Sequence, residues 1–298
     1  MKSPEKLHPL QQRQSLTPYF FLLPAAMLIL VFNIFPLLMS FMISTMDMQI
    51  SFSSARFVGI KNYIDALADR RFINSVGVTL KFTLLELPVQ TVLGLFLSAM
   101  LTKNTTANKI LRSIYFLPII CSATAIGIMW NMILHSNIGL ITYWIRAAGS
   151  GRVNFLNTPG TALYIVLFVT VWRTFGISII IMVASMQNVP ADYYQAAEID
   201  GAGKIRQFFF ITLPSIMPAF WFLLMTRAIG SLQIFDIVYT LTGGGPNFTT
   251  ETLVTYIYRR AVTMGGNMGY ATAISEFLFV FIMFITFIQY RIMTKTEQ

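Results

Sequence analysis

Three observations predict an all-α integral membrane protein built as a bundle of six transmembrane helices. Hydrophobic residues make up 55% of the 298 positions. Charged residues make up only 11%, against about 25% in an ordinary soluble domain. Apolar runs recur regularly across residues 19–290, with no stretch that reads as a soluble domain. In lipid a spanning segment must satisfy its own backbone groups, which favours helices of roughly 20 apolar residues.

Six stretches meet that length. The first, 19–44, is too long for a signal-peptide core and no small-residue cleavage site closes it, so it is expected to stay as an uncleaved anchor. The others are 76–101, 114–134, 162–186, 213–235 and 271–290. Prolines 24, 36, 88, 118, 214 and 218 fall inside or at the ends of these spans, where each removes a helical hydrogen bond and can bend the rod. Tyr19, Phe20, Tyr115, Trp130 and Tyr290 read as interfacial anchors. With the N-terminus inside, the inner segments carry Lys2, Lys6, Arg13, Lys103, Lys109, Arg112, Lys204, Arg206, Arg291 and Lys295. The outer ones carry Arg56, Lys61, Arg70, Arg71, Arg146, Arg152, Arg259 and Arg260. The inward bias is small, and it assigns 1–18 and 291–298 to the cytoplasm as flanks of a membrane domain at 19–290.

The net charge of +9 does not point to nucleic acid, because the cations are scattered among short connecting segments and form no basic stripe. His8 and His135 lie far apart and show no metal-ligand spacing, so no metal site is expected. The lone Cys121 excludes an intramolecular disulfide.

Between the fourth and fifth spans lies a polar island, Gln195-Ala196-Ala197-Glu198-Ile199-Asp200-Gly201-Ala202, followed by Ile211-Thr212-Leu213-Pro214. Pro190 suits the first helical position and Asp192 places negative charge in the first turn. Gly201 and Gly203 then break the helix. A short helix, a bend and a second short helix are predicted. Either the small residues Ala196 and Ala197 offer a face to another protein's groove, or the segment is a connector resting on the membrane surface. A phosphate-loop reading of Gly201-Ala202-Gly203-Lys204 fails, because Glu198 and Ile205 occupy the positions that need glycine and Ser or Thr.

The island and its Ile-Thr-Leu-Pro tail resemble the EAA loop of permease subunits in binding-protein-dependent ABC importers. Phe57-Val58-Gly59-Ile60-Lys61-Asn62-Tyr63, the run from Phe235-Asp236-Ile237-Val238-Tyr239 through Leu241-Thr242-Gly243-Gly244-Gly245-Pro246, and Gly269-Tyr270-Ala271-Thr272-Ala273 resemble its carbohydrate branch, the relatives of the maltose and glycerol-phosphate permeases. Gln195 stands where that family usually has glutamate, keeping length and hydrogen bonding but losing a charge. The resemblance implies a coupling loop at about 187–212, with Gln195, Ala196, Ala197, Glu198, Asp200, Gly201 and Pro214 as contacts to a cytoplasmic ATPase dimer that holds the ATP and Mg. The chain itself would bind no cofactor and carry no catalytic residue. Further implied partners are a second, homologous permease, an extracytoplasmic solute-binding protein and a sugar-like solute, in the inner membrane of a prokaryote. Gly243, Gly244, Gly245 and Pro246 would form either a landing surface for the binding protein or simply a turn.

Lys81, Glu86, Arg173, Arg227 and Glu276 lie inside spans, where a charge costs roughly 2.5–3.5 kcal/mol on insertion scales. Depth counting puts Glu86 and Arg173 near mid-depth and Arg227 and Glu276 nearer the outer end, which allows two ion pairs that fix helix register, with direct substrate contact as the alternative, while Lys81 snorkels outward. Spans flanking the coupling loop line the cavity in this family. There Thr170, Arg173 and Thr174 share one helical face and Arg227 and Ser231 another, a polar path that hydroxyls and a guanidinium would suit. Competing classes are a secondary transporter driven through the buried charges, which calls for internal repeats that are not evident, and an assembly protein that uses the island only for docking.

Overall fold

The computed structural model describes residues 17–50, 55–149, 151 and 153–296. Lys2, Lys6, His8, Arg13, Arg152 and almost all of the predicted N-terminal segment lie outside the described residues. Helix α1 (Thr17–Ile29) passes through a π turn at Leu30–Ile34 into α2 (Phe35–Ser44). Pro36 accounts for the turn: it lacks an N–H and its ring meets the carbonyl of Phe32, four residues back, so the helix widens there. A two-residue antiparallel ribbon, β1 (Met46–Asp47) with β2 (Arg56–Phe57), pairs Met46 with Phe57. After it come α3 (Lys61–Ala68) and α4 (Arg70–Leu101). The carboxylate of Asp69 caps α4 by accepting from the Arg71 amide at 2.8 Å, which starts that helix six residues before the expected 76.

Helices α5 (Thr106–Ile120) and α6 (Ala123–Ile133) meet at a 95° bend. Cys121 sits at the break between them and is exposed, not inside a continuous span. The short α7 (Leu140–Ala147) leads to α8 (Ala162–Gln187). Next come α9 (Ala191–Ile199), α10 (Lys204–Gln207), a π turn at Phe208–Thr212 and α11 (Leu213–Ser215). A 69° bend separates the Lys204–Ser215 stretch from α12 (Met217–Leu232). Pro214 meets the carbonyl of Phe210 inside that π turn, as Pro36 does that of Phe32. The chain ends with α13 (Asp236–Leu241), α14 (Leu253–Tyr258), a third π turn at Arg259–Thr263 and α15 (Met268–Thr296).

Among the described residues, four helices are long and apolar enough to cross a membrane: Phe20–Ser44, Arg70–Leu101, Ala162–Gln187 and Met268–Lys295. The count reaches six if each bent pair is one span. The expected third and fifth spans, 114–134 and 213–235, fall on those two bent pairs, and beyond the second the short α13 buries Ile237, Val238 and Leu241 in the core.

Helix α4 is the centre of the bundle, packed against α8 and α12, while α8 takes α5 on its other side and α15 takes α2. Gly176 lets α8 close on α5: a Cβ there would lie 2.1 Å from the Tyr115 carbonyl oxygen. Gly127 does the same for α6 and α13, where a Cβ would lie 1.8 Å from Thr240 Oγ1. Phe82, Val166, Val169, Ile237, Val238 and Leu241 fill the largest core cluster. Trp130 and Tyr115, expected as interfacial anchors, are half-buried in packing, Trp130 against Phe168 and Trp172 and Tyr115 against Phe175.

Candidate functional site

The polar island folds as the sequence predicts, with one shift of register. Pro190 is the residue before the first turn of α9, not its first helical residue. At the other end Gly201 adopts φ +73°, the Gly201 amide donates to the Glu198 carbonyl at 3.1 Å and the Ala202 amide to the Ala197 carbonyl at 2.8 Å. This is a Schellman closure, which needs the left-handed residue that glycine supplies without a side-chain clash. Lys204 Nζ donates to Glu198 Oε1 at 2.5 Å across the bend, and that hydrogen bond and the lysine's charge hold the Glu198 carboxyl below its usual range. Tyr194 and Thr212 hydroxyls, 2.8 Å apart, tie α9 to the π turn. Gln195, Ala196, Glu198, Asp200 and Gly201 are exposed, Ala197 is half-buried, and Ile199 and Ile205 stand 88% and 78% exposed. The helix pair thus carries two large aliphatic side chains in exposed positions among its polar residues.

The span charges combine differently from the depth count. Arg227 of α12 donates to Glu86 of α4, which is fully buried. Glu276, expected beside Arg227, instead accepts from Ser40 Oγ of α2 at 2.5 Å. Arg173, expected beside Glu86, has no ion pair among the described residues, and its Nε is buried without a hydrogen-bond partner. Lys81 is exposed. The reason is geometric: α12 starts after a 69° bend, so residue counts along it do not measure depth as they do along a straight rod.

A polar seam runs down α4. Ser75, Thr79, Thr83, Glu86, Gln90 and Ser98 recur at spacings of three, four or eight and are all buried, which places them on one helical face. Ser231 Oγ donates to Thr83 Oγ1 at 3.1 Å. Gln90 Nε2 donates to Ser178 Oγ at 2.8 Å, and Thr174 Oγ1 reaches both the Thr170 carbonyl at 2.8 Å and Gln90 Oε1 at 3.5 Å. Thr170 donates to the Val166 carbonyl at 2.8 Å. The predicted path residues Thr174, Arg227 and Ser231 thus meet α4; of the buried α4 face only Glu86 stood out in the sequence, although the spacing of its other polar residues inside an apolar span carried the signal.

At the opposite end of the bundle from α9, the glycine-rich loop is held by a buried charge. Gly243 and Gly244 take φ +59° and +86°. Glu251 is fully buried and accepts from Arg71 Nε at 2.6 Å and Nη2 at 2.7 Å, with Arg259 Nε at 3.1 Å. Arg259 Nη2 in turn donates to the Gly243 carbonyl at 2.5 Å. The Arg71 guanidinium lies 3.8 Å from the centre of the Phe248 ring. Beside this cluster Asp69 accepts from the Tyr256 hydroxyl, from the Tyr270 hydroxyl at 2.8 Å and from Arg260 Nη2 at 2.9 Å. Partial burial pushes its carboxyl up, but those hydroxyls, the Arg71 amide and Arg260 outweigh it and hold Asp69 well below the usual carboxylate range. Neither Glu251 nor Asp69 stood out in the sequence, since Arg71 lies 180 positions from Glu251, and Tyr256, Arg260 and Tyr270 lie 187, 191 and 201 positions from Asp69.

A bundle of apolar helices with a buried polar seam, a projecting polar helix pair at one end and a clamped loop at the other defines a membrane transport component. Residues 90–297 match the family described as binding-protein-dependent transport system inner membrane component, and the chain belongs to that family. It is 32% identical to the trehalose/maltose transport system permease protein MalF of Thermococcus litoralis, over 95% of each chain. It is 30% identical to the sulfoquinovosyl glycerol transport system permease protein SmoG of Agrobacterium fabrum, over 93% of this chain and 90% of that one. Identity to the sn-glycerol-3-phosphate transport system permease protein UgpA of Yersinia enterocolitica is 29%, over 93% and 94%. In fold it is similar to a chain in the crystal structure of a bacterial ABC transporter involved in import of the acidic polysaccharide alginate, with TM-score 0.83 and 23% identity over 95% of this chain and 96% of that one.

Proposed function

We propose that this chain is one permease subunit of an ATP-driven importer that moves a sugar, oligosaccharide or related polyol or phosphorylated solute across the cytoplasmic membrane of a prokaryote. Each bent pair counts as one span, giving six, with both termini in the cytoplasm. A second, homologous permease completes the pore. The observation that carries the reading is the Schellman-closed helix pair with Ile199 and Ile205 turned outward. A cytoplasmic ATPase dimer, which holds the ATP and Mg, grips this pair through Gln195, Ala196, Ala197, Glu198, Asp200 and Gly201. Pro214, in the helix leading to α12, transmits the movement. The α4 seam supports a path along Thr170, Arg173, Thr174, Arg227 and Ser231, in which the hydrogen bonds of Thr174, Arg227 and Ser231 to α4 exchange as the spans rock. The clamped loop at Gly243, Gly244, Gly245 and Pro246 receives the extracytoplasmic binding protein, since a rigid surface loses less entropy on docking than a mobile one. The specific relatives named above transport sugars or a glycerol phosphate by their descriptions, which supports the solute class.

Proteoliposomes holding both permeases and the ATPase test this. Solute uptake that requires ATP and the binding protein is expected. Uptake that instead follows an imposed ion gradient overturns the reading in favour of a secondary transporter, and no uptake in any condition favours an assembly role.

A further inference from the structure

Beyond the predicted path, the α12–α13 junction carries a feature that core packing does not use. Helix α13 turns Ile237, Val238 and Leu241 into the core and leaves Asp236 and Tyr239 exposed on its opposite face. Phe235 stacks on Tyr239 with ring centres 5.2 Å apart and planes 21° apart. Tyr258 of α14 closes the group, its ring 5.1 Å from each. Phe235 and Tyr258 are half-buried, whereas Tyr239 is the outermost ring at 43% exposure. At the rim the side chains of Asp236 and Gln233 are both exposed, and neither has a hydrogen-bond or ion-pair partner among the described residues. A free carboxylate here keeps the face out of hydrocarbon, and an aromatic surface flanked by unpaired polar groups is not what lipid selects.

From this geometry we infer that Tyr239, backed by Phe235 and Tyr258, is a stacking platform for a pyranose ring, with Asp236 and Gln233 accepting and donating hydrogen bonds to its hydroxyls. The chemistry fits on both counts. One face of a pyranose presents C–H bonds with slight positive charge, which the negative face of an aromatic ring attracts, while its edge carries hydroxyls that a carboxylate and an amide satisfy. Sites of this kind are mostly aromatic with a few placed polar groups. The inference rests on the sugar-importer reading and sharpens it, adding a ring-recognition point at the end of the bundle that carries the glycine-rich loop.

Saturation-transfer difference NMR on the assembled importer in detergent, with maltose and trehalose as pyranose probes and sn-glycerol 3-phosphate as a ringless control, tests it. Irradiating aromatic protons is expected to saturate the C–H protons of the two disaccharides and not those of the control. Tyr239→Ala is expected to weaken binding about three- to tenfold, the range for one aromatic contact. Tyr239→Phe, which keeps the ring, is expected to retain binding, and Asp236→Asn to fall between. No transfer to either disaccharide in the unsubstituted protein, or equal transfer in Tyr239→Ala, overturns the platform. ATP- and binding-protein-dependent uptake, measured on the same preparations, separates the two levels. If uptake persists while Tyr239→Ala changes nothing, the platform alone falls; if the unsubstituted importer shows no ATP-dependent uptake, the importer reading falls with it.

Discussion

Arg227 donates to Glu86 across the contact between α12 and α4, in the middle of the buried polar seam. Removing one member leaves the other as an unpaired charge inside the bundle, which costs about 3–5 kcal/mol, whereas replacing both with apolar residues of similar size is often neutral. Glu86→Leu and Arg227→Met alone should therefore each lower the thermal stability of the detergent-solubilised protein sharply, and the double variant should regain most of the loss. Additive losses in the double variant would show that the two residues do not act as a pair.

The seam also explains what could be read from the chain and what could not. Spans were legible because hydrocarbon demands apolar length, and the helix pair at 191–207 was legible because Gly201 marks a left-handed closure. Pairing of Glu86 was not legible. It depends on the bend before Met217, which resets the depth of every residue on α12, and proline positions mark where a helix can bend without giving the angle. Glu251 was invisible for a related cause. Its partners Arg71 and Arg259 read as outer-segment charges, and only the folded chain brings the three together.

Ile199 and Ile205 are 88% and 78% exposed, so they stabilise this chain little, and the proposed ATPase contact gives them a testable role. Ile199→Asp and Ile205→Asp should leave the free energy of unfolding within about 0.5 kcal/mol of the unsubstituted protein, as for other exposed positions, yet abolish co-purification with the ATPase. Normal co-purification of both variants would remove the helix pair as the docking surface.

Gly201 offers a finer test of the same element. Nothing lies within 4 Å of a Cβ placed there, so a substitution there is opposed only by the backbone conformation, φ +73°. The left-handed region costs a residue with a side chain roughly 1–2 kcal/mol, less for asparagine. Gly201→Val should therefore fray the α9 closure and reduce transport-coupled ATP hydrolysis more than Gly201→Asn does. Equal rates in the two variants would show that the closure does not govern coupling.

Glu251 fixes the glycine-rich loop from beneath. Glu251→Ala strands Arg71 and Arg259 without their common carboxylate and frees the Arg259 contact with the Gly243 carbonyl, so the loop at 242–250 should exchange its amide hydrogens faster while α8 stays protected. Hydrogen–deuterium exchange read by mass spectrometry checks this, and uniform acceleration across the whole chain would mean that the residue supports the fold at large rather than the loop.

Asp69 gives the cluster beside the glycine-rich loop a defined dependence on pH. Its carboxyl is held below the usual range in the folded protein, and an unfolded aspartate titrates near about 3.9. A depressed carboxylate contributes stability that is fully present above the unfolded value and is lost as pH falls toward the folded one. Between pH 8 and 5 Asp69 should therefore contribute a constant amount, with the decline confined to the region below about pH 4. Asp69→Asn should melt lower at pH 7, because the Arg260 guanidinium and the hydroxyls of Tyr256 and Tyr270 lose their charged acceptor, and each such hydrogen bond is worth about 1.5–3 kcal/mol. The same variant should lose part of the fall in melting temperature below pH 4. Melting curves of both proteins from pH 3 to 8 decide the matter: parallel curves at every pH would mean that the charge on Asp69 does not stabilise this end of the bundle.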